Sequence, residues 1–171
     1  MANADKPAGF RVGYTKHGGP AALNRYFASG TGAIYRGDVV THAAVTGHIK
    51  TLLGASLGVP IGIASNYTVG TSTDDEVLCY DDFKNTVFIG QDSGTAISSS
   101  TLCFAFYDIT MAVSTTTQQS IMEINSAASV SDNIFLIDKV DRPDNDWGAY
   151  VDCYVEFTIN LRAHGTAVDT A

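Results

Sequence analysis

Apolar and polar residues alternate most regularly towards the end of the chain. From Tyr150 to Leu161, the residues Val151, Cys153, Val155, Phe157, Ile159 and Leu161 alternate with Tyr150, Asp152, Tyr154, Glu156, Thr158 and Asn160. A period of two places each set on its own face of a strand, whereas a helix would scatter the apolar set around its circumference. Asn133-Ile-Phe-Leu-Ile-Asp-Lys-Val predicts a preceding strand, and Asp141-Arg-Pro-Asp-Asn-Asp-Trp-Gly a loop between the two. Residues 133–161 therefore read as an antiparallel hairpin with a long connection.

Shorter stretches of the same kind lie upstream. Ala33-Ile-Tyr-Arg and Val39-Val-Thr-His flank a Gly37-Asp38 turn. Glu76-Val-Leu-Cys-Tyr and Thr86-Val-Phe-Ile-Gly flank Asp81-Asp82. Residues 58–69 are β-rich with glycines that suggest bends or bulges. Residues 43–53 fit neither period, and the apolar run from Leu102 to Val113 reads as a buried strand or a short helix. Ser/Thr-rich loops are expected around 93–101 and 114–120. The sum is about 8–10 short strands, hence an all-β antiparallel barrel or sandwich.

Residues 1–30 differ from the rest. Gly9, Gly13, Gly18, Gly19 and Gly30, with Pro7 and Pro20, interrupt any periodicity, while Phe10, Tyr14, Tyr26 and Phe27 are interspersed. The glycines and prolines oppose a helix, and the aromatics are unlike a disordered tail. This pattern predicts an extended N-terminal arm lying on another surface, followed by a single β-domain over 31–171. Removing residues 2–30 is then expected to leave that domain folded.

Composition narrows the function. The chain has 171 residues, enough for one domain with its own core, and 45% apolar residues remove any need for a disulfide scaffold. A net charge of −8 opposes both a nucleic-acid groove and docking on an anionic membrane. No run approaches the ~18 apolar residues of a membrane span. Met1-Ala-Asn-Ala-Asp is no secretory leader, so folding in a cytoplasm is expected. Cys79, Cys103 and Cys153 are odd in number and widely spaced, and Cys103 and Cys153 read as small buried hydrophobes.

Catalytic and metal signatures are weak. His17, His42, His48 and His164 show no metal-ligand spacing. Gly54-Ala-Ser-Leu-Gly matches a nucleophile-elbow string, but Pro60 opposes the helix that must follow, and only His164 lies downstream. Asp138, Asp141, Asp144 and Asp146 could offer oxygens to Ca²⁺, yet they lack the calcium-loop register and Arg142 can neutralise its neighbours. Phosphate-cradling glycine motifs are absent. The expectation is a non-enzyme without cofactor or metal. Trp147, the lone tryptophan, is expected to pack over the end of the β-domain or into a partner.

Three stretches then carry a family resemblance: Asn3-Ala-Asp-Lys-Pro-Ala-Gly-Phe-Arg, Tyr80-Asp-Asp-Phe, and Val140-Asp-Arg-Pro-Asp-Asn-Asp-Trp-Gly-Ala-Tyr-Val. Together they resemble small tailed-phage structural proteins of the head decoration, or cement, kind. The resemblance implies a β-rich knob on the capsid exterior, made in the host cytoplasm, oligomeric as a trimer or dimer, that clamps the major capsid protein. Phe10, Arg11, Tyr14, Tyr26, Phe27 and Trp147 are the contact residues expected on this reading. A tail or head–tail connector protein, or a carbohydrate-binding β-sandwich, would share the same sequence features.

Overall fold

In the computed structural model of the protein, residues 3–43, 47–53, 59–94, 97–110, 112, 117–126 and 134–158 are described. They form eleven strands and one 3-10 turn, so the chain is all-β. The strands are β1 (Arg11–Thr15), β2 (Asn24–Phe27), β3 (Val39–His42), β4 (Ile49–Thr51), β5 (Pro60–Ala64) and β6 (Glu76–Tyr80). They continue as β7 (Thr86–Gln91), β8 (Phe106–Thr110), β9 (Glu123–Asn125), β10 (Ile134–Lys139) and β11 (Asp152–Phe157). One six-stranded sheet runs β1-β7-β11-β10-β8-β9 and a five-stranded sheet runs β2-β6-β5-β3-β4, with every named pairing antiparallel.

The two sheets pack as a sandwich over the main core. Phe88, Ile134, Leu136, Val155 and Phe157 from the first meet Val39 and Ile63 from the second. Phe157 sits at the centre, stacked on Phe83 at 4.7 Å and edge-on to Phe10 and Phe88. A second, smaller cluster of Val40, Ala64, Val77, Cys79, Ala28, Ile34 and Ile49 involves the same sheet. Neighbouring residues on β3 and β5 thus serve different cores, which is why Val39-Val-Thr is buried without alternation. Ser29 N donates to the Ile49 carbonyl at 2.8 Å, curling β2 round towards β4 over that cluster.

The hairpin expected over 133–161 is present, with β10 paired to β11 and a register irregularity between Leu136 and Asp138. Cys153, Val155 and Phe157 face the core as their alternation requires. Ile159 and Leu161, Gly54-Ala-Ser-Leu-Gly and His164 lie outside the described residues. Ala33-Ile-Tyr-Arg is not a strand: Ile34 and Arg36 each make an isolated bridge, to Thr68 and Gln119. The run from Leu102 divides into a 3-10 turn (Ser100–Leu102) and β8. β9 carries no clear alternation in the sequence and is defined by its partner, β8.

The largest correction concerns the arm expected over 1–30, of which residues 3–30 are described. They are extended, but they lie on this chain's own sheets rather than forming an arm apart from a 31–171 domain. β1 pairs with β7 and β2 with β6, so the segment contributes to both sheets. Phe10 is 2% exposed and belongs to the main core. The glycines that argued against regular structure permit this route. Gly9, at φ +65°, crosses Gly37, at φ +92°, so closely that a Cβ on Gly9 would stand 2.5 Å from the Gly37 carbonyl oxygen. Only glycine tolerates both that backbone region and that approach. Phe10 N then donates to the Gly37 carbonyl at 2.9 Å. Beneath this crossing the buried Asp38 carboxylate accepts from Tyr35 N and Thr51 Oγ1.

Candidate functional site

The outer face of the six-stranded sheet is where a half-exposed antiparallel sheet should be polar. Here it is aromatic. Tyr14 on β1 meets Tyr154 on β11 edge-on at 5.5 Å. Ile89 on β7 lies between those strands, and Gly13 makes room: a Cβ there would stand 3.1 Å from both Ile89 and Tyr154. Glu156 follows Tyr154 on the same face and is the register partner of Phe135 on β10. Phe135 contacts Phe106 on β8 at 5.2 Å and Phe104 at 6.2 Å. A band of rings, with Ile89 between two of them, therefore crosses five strands, interrupted by one ion pair, Lys16 Nζ to Glu156 at 2.8 Å.

Exposure is highest at the β8 end. Phe104 is 72% exposed, Phe106 46% and Tyr14 45%. Phe104 also holds φ +58°, in the left-handed region that side chains with a Cβ avoid. Its N–H donates to the Leu136 carbonyl at 2.8 Å, just after the 3-10 turn. A ring presented to solvent from a strained backbone adds nothing to the core and costs about 1 kcal/mol. Exposed apolar bands of this kind mark binding surfaces.

The other end of the same face is covered and charged. Asp152 is oriented outward by the β11 alternation, yet it is only 3% exposed. Its Oδ2 accepts from Arg11 Nη2 at 2.8 Å and from Arg142 Nη2 at 2.9 Å. Arg142 also pairs with Asp144 at 3.1 Å, so the expected neutralisation within that acidic loop does occur. Asn145 bonds the backbone N–H and carbonyl of Asp152, and the Asn3 amide bonds the backbone of Asp146 and Ala149. Gln91 bonds Ala4 and Lys6, which closes a polar cleft of about 260 Å³.

Among the described residues the titratable groups show no activated nucleophile. Burial pushes the Cys79 thiol up to about 12, and burial with nearby acids also raises Cys103 and Cys153. All three thiols are protonated at neutral pH, where the thiolate is the reactive form. Cys79 and Cys153 are buried, whereas Cys103, expected in the core, is only half-buried. His17 bonds Asn85 at 3.0 Å. Glu123 is pushed up to about 7 by burial and by Asp5 and Asp92. Among the described residues no group of three or more His, Cys, Asp or Glu is placed to hold a metal, and no helix is long and apolar enough to cross a membrane.

The six contact residues expected from the sequence do not form one patch. Phe10 is withdrawn from any outer surface because its ring fills the core beside Phe157. Arg11 and Tyr14 do share the outer face of the six-stranded sheet. Tyr26 is half-buried against the smaller core; its hydroxyl donates to Asp81 at 2.6 Å, and burial with that carboxylate pushes it up to about 12. Phe27 is 40% exposed on the edge strand of the other sheet, under Arg25 at 5.6 Å. Trp147 packs partly buried against the main core.

Sequence reasoning missed Ile89, Phe104, Phe106, Phe135 and Tyr154. The signal was there in Ile134-Phe-Leu-Ile, an unbroken apolar run in a strand that covers only one core. No family model, curated protein or solved structure matches this chain.

Proposed function

We propose that this protein is a non-enzymatic structural module that works by binding protein surfaces. The observation that carries the reading is the aromatic band across the six-stranded sheet. Rings that are rigid, apolar and presented on strands are the side chains that dominate protein–protein contacts. The partner we propose is the major capsid protein of a tailed phage, on the exterior of the assembled head, with this chain acting as a decoration or cement protein. That choice of partner rests on the resemblance of the segments at 3–11, 80–83 and 140–151. Binding a folded shell at the seams between subunits stabilises it by mass action, because the bound state is favoured over the separated one.

The experiment is reconstitution on purified heads stripped of the protein, followed by cosedimentation and cryo-electron microscopy. Wild-type chain should saturate defined sites on the shell, and Phe104→Ala with Phe106→Ala should weaken binding at least a hundredfold, as hot-spot losses of about 3 kcal/mol imply. Density on the tail or connector instead of the shell would overturn the capsid assignment. Full binding by the double variant would overturn the aromatic face.

A further inference from the structure

We infer that residues 3–15 form an exchangeable strand through which two copies of this chain join, each giving the segment to the other. The receiving site is visible in full, because the chain's own segment occupies it. β1 is the outermost strand of its sheet, and its strand neighbour is β7. The contacts that hold the segment all reach far along the chain: Phe10 to Phe157, Arg11 to Asp152, Asn3 to Asp146 and Ala149, and Gln91 to Ala4 and Lys6. None depends on the segment belonging to the same copy.

The connection to β2 is built to let go. Residues 18–23 join the six-stranded sheet to the five-stranded one and are exposed except for the half-buried Ala21. Around Gly18 and Gly19 an added Cβ would meet nothing within 4 Å. The hydrogen bonds here, from Gly18 N to the Thr15 carbonyl and from the Thr15 hydroxyl to the Gly19 carbonyl, are local turn contacts. Closed and exchanged forms therefore contain the same interface and differ in the hinge alone. Which one is populated depends on the concentration of neighbouring copies against the effective concentration that the hinge imposes, of millimolar order for a short flexible linker. Exchange must be slow, because Phe10 has to leave the core first. This inference stands independently of the capsid reading.

The test uses the full chain in a Cys103→Ser background. Arg11 and Ile89 are register partners across β1 and β7. Arg11→Cys and Ile89→Cys chains are mixed, incubated concentrated and oxidised. A covalent dimer, well above that in either chain alone, is expected on non-reducing gels. Its absence, while the double variant closes its bond within one chain, overturns exchange. Wild-type chain, with Arg11 intact, is followed by light scattering across micromolar to millimolar concentration. A dimer that forms slowly and persists on dilution is expected, and a monomer throughout overturns the inference. Deleting Gly18 and Gly19 shortens the hinge by about 7 Å of reach. The dimer fraction should rise at least tenfold, and an unchanged fraction refutes the hinge.

Discussion

Phe10→Ala separates a core residue from an arm residue. The ring is 2% exposed, stands edge-on to Phe157 at 5.2 Å, and fills the space left by Gly90, where a Cβ would come within 2.6 Å of it. Truncation removes the transfer free energy of a buried aromatic and leaves a cavity among Phe157, Gly90 and Ile124, which cannot close over it without moving strands. Such changes cost about 3–5 kcal/mol. Against a total stability of about 5–15 kcal/mol, that is a large share. At about 2–4 °C per kcal/mol for a chain of this size, the midpoint should fall by about 6–20 °C. Urea unfolding followed through the fluorescence of Trp147, which packs on the same core, measures the loss directly. Phe27→Ala is the comparison: that ring is 40% exposed on an edge strand, and its loss should cost under about 1 kcal/mol. A Phe10→Ala loss as small as that of Phe27→Ala would refute the placement of residues 3–15 in the fold. Deletion of residues 2–30 should on the same grounds unfold the chain, because it strips a strand from each sheet.

Three further outcomes follow from the geometry. Asp152→Ala leaves two guanidinium groups facing each other over a buried position, and should cost about 2–4 kcal/mol by urea titration, with Asp152→Asn recovering part of it. Glu123, held up at about 7, binds a proton in the folded state that the unfolded chain has already released above its usual value near 4.5. The stability it contributes is complete below that value and is lost as pH rises through 7. Glu123→Gln should therefore flatten the stability profile between pH 5 and 8 and exceed wild type at pH 8, by about 1–2 kcal/mol after allowing for partial exposure. Phe104→Gly relieves the left-handed backbone while loosening the unfolded chain, so thermal stability should stay within about 1 kcal/mol of wild type even though partner binding falls.

Much of the fold was legible because burial on one side of a strand writes itself as a period of two. The β10–β11 hairpin was readable on that basis; β3 and β7, which do not alternate, were readable with β6 from β-branched and aromatic residues bounded by turns. β9 was not, because three residues are too few to show a period and its pairing with β8 comes from elsewhere in the chain. The aromatic face was half legible. Tyr14 was singled out, but Phe104 and Phe106 were read as part of a buried run and Phe135 only as part of a strand, because composition does not say which apolar residues lack a covering layer.

By itself the sequence determined the all-β class, the acidic surface and the absence of an evident catalytic motif, since these follow from local alternation, net charge and residue spacing. Tertiary structure decided what residues 3–30 do. Glycines and prolines forbid a helix but say nothing about which surface an extended segment will choose. That choice depends on Gly9 meeting Gly37, on Phe10 finding the gap beside Gly90, and on Arg11 reaching Asp152. Each of these contacts joins residues far apart in the chain, and only the packed sheets bring them together. The aromatic band has the same origin, since its residues come from separate strands and its openness to solvent is a property of the folded sheet.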